Sequence, residues 1–85
     1  MKVRILRFEQ TQDSSGNPEI FMMVEANTGT GLYHRAEWLT DEEVAAINAD
    51  ISQKTIIAEE MAERAVLAKT QELAELAAQN NVNPN

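Results

Sequence analysis

The chain has 85 residues, no cysteine and one histidine, and it carries a net charge of −7. A chain of this length forms at most one domain, whose core contributes only a few kcal/mol of net stability. The absence of cysteine excludes disulfides and thiolate metal sites, and it is compatible with a reducing compartment. We therefore expect a protein without cofactors that gains stability from association with other chains.

The N-terminal segment does not resemble a secretory signal, because Arg4 and Arg7 interrupt its apolar residues. No stretch approaches the roughly 20 apolar residues of a membrane-spanning helix. Residues 1–38 carry four basic and five acidic residues, whereas residues 39–85 carry three basic and nine acidic residues. An acidic surface repels phosphates and anionic lipids. We predict a soluble cytoplasmic protein with no membrane or nucleic-acid partner.

Three strands are predicted in the first half of the chain, at 2–10, 19–26 and 32–39. The turn-forming segments 11–18 and 27–31 separate them, and such short connections favour an antiparallel meander in the order 1-2-3. Simple alternation places Val3 and Ile5 on one face of the first strand and Phe8 on the other. In the third strand it places Trp38 and Tyr33 on opposite faces.

The period of the sequence changes after Trp38. Thr40 and Glu43 have the spacing of a capping box, which predicts that a helix begins after Thr40. Acidic residues in the first turn of a helix are stabilised by its dipole, so residues 41–43 have a structural explanation. A break near Asp50 precedes a long helix that we predict from 51 to about 79. The predicted fold is α+β, β-β-β-α-α, in one domain over 1–79, with the meander at 1–39, the helices at 40–79 and a flexible tail at 80–85.

The predicted long helix has more apolar surface than a small sheet can cover. A helix of about 28 residues extends about 42 Å, whereas a strand of about 7 residues extends about 23 Å. We predict a helical protein interface at Ile57, Met61, Ala65, Val66, Leu73 and Leu76. We predict a second interface, on the sheet face turned away from the helix, at Phe8, Phe21, Met23 and Tyr33. A symmetric homodimer is the commonest way to cover such surfaces.

Catalytic and ligand-binding motifs are weak throughout the sequence. His34 is the only histidine, and no serine lies in a nucleophile motif. The turn at 11–18 offers one carboxylate, Asp13, which is too few for a calcium loop. The segment 27–31 lacks the lysine and the following helix of a phosphate-binding loop. We therefore predict that the protein is not an enzyme and holds no metal or cofactor.

We predict a small structural or adaptor protein, which associates with itself as a subunit of a larger assembly. Phage accessory and virion components also fit this description. The alternative is a small acidic inhibitor that blocks the basic, nucleic-acid-binding site of a target enzyme. Its acidic surface would comprise Asp41, Glu42, Glu43, Glu59, Glu60 and Glu63. Basic residues near aromatic residues in the strands give a weaker indication of nucleic-acid binding.

Overall fold

The computed structural model describes residues 1–82, with side chains described through residue 79. Three strands are followed by two helices: β1 (Lys2–Gln12), β2 (Pro18–Asn27), β3 (Leu32–Trp38), α1 (Asp41–Ala49) and α2 (Gln53–Val82). The strands form one antiparallel sheet in the order β1-β2-β3. The predicted α+β fold is confirmed. Helix α2 continues three residues beyond the predicted end at Gln79, and positions 83–85 of the predicted tail lie outside the described residues.

An irregularity in β1 changes which residues face the helices. Ile5 pairs with Val24, whereas Arg7 pairs with Met23, so Leu6 is an extra residue between them. Such a bulge shifts the alternation of the strand by one residue. Val3, Ile5 and Phe8 consequently all pack against the core. Simple alternation placed Phe8 on the opposite face from Val3, and that prediction was wrong because a bulge has no marker in this sequence.

The connections between elements are built from short polar side chains. In the β1–β2 turn, Asp13 Oδ1 accepts hydrogen bonds from the backbone N–H groups of Ser15 and Asn17 at 2.8 and 2.9 Å. Gly16 supplies the positive φ of 83° that this turn requires. These hydrogen bonds of the exposed carboxylate, led by the one from Asn17, hold the pKa of Asp13 below its ordinary value.

The predicted capping box begins α1. Thr40 Oγ1 accepts a hydrogen bond from the Glu43 backbone N–H at 3.1 Å, and Glu43 Oε1 accepts one from the Thr40 backbone N–H at 2.9 Å. Asp50 ends the helix, and its carboxylate accepts hydrogen bonds from the backbone and hydroxyl of Ser52. The chain therefore breaks between α1 and α2 where the sequence predicts a break.

The core lies between one face of the sheet and the two helices. Helix α1 lies near the β1–β2 turn and buries Val44 and Ile47, while α2 covers the other end of the sheet. The buried apolar residues are Ile20, Met22, Val24, Ala26, Val44, Ile47, Ile57, Ala58, Met61, Ala62 and Ala65. Because α1 already occupies one end of the sheet, α2 begins partway along the sheet and runs past its opposite end.

A charged cluster joins α2 to the edge strand β3. Glu37 Oε1 accepts a hydrogen bond from Arg35 Nε at 2.9 Å and one from Arg64 Nη2 at 3.2 Å. Partial burial raises the pKa of Glu37, but the two arginines outweigh burial and hold that pKa below its ordinary value of 4.5. Arg64 of α2 thus pairs with a residue of β3, although Glu60 lies four residues before it on the same helix.

We expect Met61→Ala to lower the free energy of unfolding by about 2–5 kcal/mol, because Met61 is fully buried and its loss leaves a cavity. Ile56→Ala is the control, since Ile56 is an exposed apolar residue of the same helix and its loss costs about 0.5 kcal/mol or less. Urea unfolding followed by circular dichroism measures both. Equal effects of the two substitutions would show that Met61 is not in the core.

Glu37→Gln should lower stability at neutral pH by less than about 1 kcal/mol, since the ion pairs are partly exposed. A carboxylate with a depressed pKa contributes stability above its unfolded pKa and loses it as pH falls through the lower folded pKa. The difference in stability from the unmodified chain should therefore shrink as pH falls below 4.5, the ordinary pKa, and vanish below the lower folded pKa of Glu37. Urea unfolding across this range tests it, with Glu60→Gln as the control; a difference that persists in acid would contradict it.

Candidate protein interaction surfaces

Strand β3 carries two charged residues on the side that faces the helices and exposed apolar residues on the opposite side. Arg35 and Glu37 lie opposite Val24 and Met22, on the sheet face that carries the helices. Leu32, Ala36 and Trp38 alternate with them and lie on the outer face, where each of the three is exposed. An antiparallel sheet with one solvated face normally shows the reverse pattern. The outer face therefore carries an exposed apolar patch at β3 that burial in the monomer does not explain, whereas β1 contributes mostly charged residues to this face.

An aromatic cluster occupies the middle of this outer face. The rings of Phe21 and Trp38 meet edge to face with their centroids 5.3 Å apart. The Arg7 guanidinium lies 5.6 Å from the Phe21 centroid and also pairs with Glu9 at 2.7 Å. Met23 lies opposite both Arg7 and Ala36. Aromatic residues, methionine and arginine are the residue types enriched at the centres of protein interfaces.

Charged residues border the cluster toward the far end of the sheet. Glu25 lies on the outer face between Arg4 and His34. Its carboxylate is 3.3 Å from Arg4 Nη2 and 3.2 Å from His34 Nε2. The only histidine of the chain thus has a hydrogen-bonding partner in the Glu25 carboxylate. The apolar cluster with a charged border has the anatomy of a protein interface.

A second uncovered surface lies on the C-terminal part of α2, which runs alongside the start of β3 as far as Glu72 and continues past it. Every residue from 67 to 79 is exposed, and we call these residues the distal segment. Leu73 and Leu76 lie eleven residues, or about three turns, after the buried Ala62 and Ala65, so they continue the same side of the helix. Leu67 lies about two and a half turns before Leu76, on the opposite side. The apolar side of α2 thus extends past the sheet that it covers.

The predicted helical interface is divided between the core and the surface. Ile57, Met61 and Ala65 are buried inside the monomer, and Val66 is half-buried against the same core. These four cannot present an open surface, because the sheet already covers them. Leu73 and Leu76 are 55 and 50 % exposed. The structure therefore narrows the helical interface hypothesis to the distal segment.

The predicted sheet interface is divided in the same way. Phe21 and Met23 lie on the outer face, but Phe8 and Tyr33 pack against the core. Tyr33 lies opposite the small Ala26, and its ring packs so closely over Gly31 that an added Cβ would lie 3.3 Å from the hydroxyl oxygen. The predicted interface does not include three exposed apolar residues of the sheet, Leu6, Ala36 and Trp38. The alternation of β3 was visible in the sequence, but which of its faces meets the helices was not.

The acidic residues of the alternative hypothesis lie on two different helices. Asp41 and Glu42 are exposed in the first turn of α1, and Glu43 is engaged in the capping box. Glu59, Glu60 and Glu63 are exposed together on the solvent side of α2. Within the described part of the chain these last three carboxylates form no ion pair. They form one acidic patch, whereas the α1 acids have a role in starting the helix.

A metal site, a membrane-spanning helix or a known relative would each point to another kind of function. Over residues 1–82, no group of three or more His, Cys, Asp or Glu side chains lies close enough to hold a metal ion. The same residues include no helix with the length and apolar character needed to cross a membrane. Comparisons with protein-family models, curated proteins and solved structures found no match.

Trp38 provides a direct test of the outer face, because it is the only tryptophan and is 59 % exposed. In dilute solution its fluorescence should be red-shifted and quenched by acrylamide almost as efficiently as a free indole derivative. The matched control is the urea-unfolded chain, in which quenching should increase only slightly. Emission that is blue-shifted and protected from quenching at low concentration would show that the outer face is covered within the monomer.

Proposed function

We propose that this protein is a small, non-enzymatic structural subunit that associates with copies of itself and binds a further protein component of an assembly. The observation that carries the proposal is the inverted polarity of β3, which exposes Trp38 and directs Arg35 and Glu37 toward the helices. A monomer that functioned alone would gain stability from the opposite arrangement. Exposed apolar patches of this kind mark sites of contact with a partner protein, which would remove these side chains from water.

The distal segment supports the same proposal independently. Leu73 and Leu76 extend the core-facing side of α2 past the sheet, and both are at least half exposed among residues 1–79. In addition, only eleven apolar residues are buried among residues 1–79, so the core of this part of the chain is small. Association buries more apolar surface and stabilises the folded state by mass action. Two surfaces on opposite sides of the sheet plane also allow one subunit to contact two neighbours.

A second candidate function is the acidic inhibitor, and one observation favours it. Glu59, Glu60 and Glu63 form an exposed patch without ion pairs within the described residues, which leaves their charge available to a basic partner. The same patch also serves to keep an acidic protein soluble. The exposed apolar surfaces have no role in this candidate, and we therefore rank it second.

We expect size-exclusion chromatography with light scattering to give a mass that rises with concentration above the 9.5 kDa of the single chain. Leu73→Glu should return the mass to that of the monomer, because it places a charge in the apolar contact. Leu67→Glu is the matched control and should leave the mass unchanged, since Leu67 is equally exposed, at 56 % against 55 %, but lies on another side of the helix.

A mass of 9.5 kDa at every concentration would contradict self-association and leave the acidic inhibitor as the better candidate. Equal losses of mass with both glutamate variants would indicate that charge in general, rather than the side carrying Leu73, controls association. Circular dichroism of both variants checks that the fold is retained, as expected for substitutions at exposed positions.

A further inference from the structure

Strand β3 forms one edge of the sheet, and within residues 1–82 it pairs with β2 alone. The Leu39 N–H donates to the Ile20 carbonyl at 2.9 Å, and the Thr28 N–H donates to the Gly31 carbonyl at 3.1 Å. Because hydrogen-bonded pairs alternate along an antiparallel ladder, the odd-numbered residues of β3 bond to β2. The backbone groups that point toward the open edge therefore belong to Leu32, His34, Ala36 and Trp38.

The two edges of the sheet differ in regularity. Strand β1 contains the bulge at Leu6, and a bulge in an edge strand hinders the addition of another strand. Strand β3 pairs with β2 without a bulge over seven residues, and it contains no glycine, proline or lysine. A groove of about 360 Å³ separates residues 32–35 from α2, where it is lined by Ala65, Ala68, Lys69 and Glu72. An extended segment can therefore approach the edge formed by β3.

The charged residues on the helix side of β3 retain hydrogen-bonding capacity. Arg35 donates through Nε and Arg64 through Nη2, and both hydrogen bonds end on Oε1 of Glu37. Among residues 1–79, Glu37 Oε2 accepts no hydrogen bond and the two Nη groups of Arg35 donate none. The Arg35 and Glu37 side chains are 34 and 30 % exposed. Inward-pointing charges oppose unselective pairing at an edge, but a strand with the opposite charges at both positions forms favourable cross-strand pairs.

We propose that an extended segment of a different protein adds to β3 as a fourth, antiparallel strand. This inference rests on the proposed binding of a further protein component and specifies its site and chemistry. The segment carries a basic residue opposite Glu37 and, two residues later, an acidic residue opposite Arg35. On the outer face it carries apolar residues beside Trp38 and Leu32, which are both exposed. Antiparallel pairing continues the existing sheet and is slightly more stable per residue than parallel pairing.

A second copy of β3 meets only part of this requirement. Among the antiparallel self-pairs of β3, only the one centred on Ala36 places Arg35 of each copy opposite Glu37 of the other. That register also places the polar His34, rather than an apolar side chain, beside Trp38. A self-pair centred on Arg35 brings the two Arg35 guanidinium groups together, and like charges directly opposite are destabilising. A strand from a different protein can match both the charged and the apolar positions.

A synthetic peptide tests the proposed strand addition to the full chain. The probe is Val-Lys-Thr-Glu-Thr-Ala-Val with both ends capped, in which Lys lies opposite Glu37 and Glu lies opposite Arg35. At millimolar concentrations it should slow the hydrogen exchange of the His34 and Ala36 amides, measured by nuclear magnetic resonance. The Tyr33 amide should change little, because it already bonds to β2.

Matched peptides separate strand addition from other contacts. Exchanging Lys and Glu in the probe should weaken binding by about fivefold or more, because each charge then faces a like charge. N-methylation of the first Thr, opposite Ala36, should abolish binding because it removes a hydrogen bond to β3. N-methylation of the Glu is the control and should leave binding nearly unchanged, since that N–H points away from β3.

The outcomes distinguish this inference from the proposed self-association. Equal binding of the probe and its charge-exchanged form would overturn the role of Arg35 and Glu37, and equal effects of the two N-methyl groups would overturn strand addition. A chain whose mass rises with concentration but whose β3 amides ignore the probe would overturn this inference alone. Selective binding of the probe by a chain that stays monomeric would support it and overturn self-association. Protection of the Ala36 amide that grows with protein concentration, without peptide, would overturn it by assigning the edge to a second copy.

Discussion

The extra residue in β1 lets this edge strand present all of its core-packing residues to the face that β2 buries. Strand residues alternate between two faces, so Val3, Ile5 and Phe8 can share one face only if the alternation shifts between Ile5 and Arg7. The bulge at Leu6 provides that shift. It directs Phe8 toward Met22 and the Lys54 ammonium, which lies 4.5 Å from the Phe8 centroid. It also directs Arg7 to the outer face, where its guanidinium stacks on Phe21. The inserted residue thus places Phe8 against the core and Arg7 beside Phe21 on the outer face.

Local signals in the sequence were sufficient for the order of elements and for several of their ends. The capping box at Thr40 and Glu43 and the break at Asp50 depend on neighbouring residues, and the structure forms both. The faces of the strands depend on distant contacts and could not be predicted in the same way. Nothing in β1 marks the bulge, and nothing in β3 shows that Tyr33 would pack over Gly31. These two features explain why Phe8 and Tyr33, two of the predicted interface residues, instead pack against the core and are partly buried.

The two uncovered surfaces have a common origin in the arrangement of the helices. Because α1 occupies the end of the sheet near the β1–β2 turn, α2 is displaced toward the other end and runs beyond it. Because both helices pack on one face, the other face has no cover within residues 1–79. The association proposed above would cover both places with other protein chains.

The distal segment has a further consequence for the helix itself. The distal segment continues a packed helix and needs no nucleation of its own. It is stabilised mainly by its backbone hydrogen bonds, its helix propensity and the exposed Lys69–Glu72 ion pair, so it is less stable than the packed turns. Its amides should therefore open repeatedly and exchange with deuterium faster than those of the buried turns near Met61. Association through this segment would be coupled to completion of the helix. The last three to four turns of α2 would then respond to protein concentration, through a local helix–coil equilibrium that leaves the sheet unchanged.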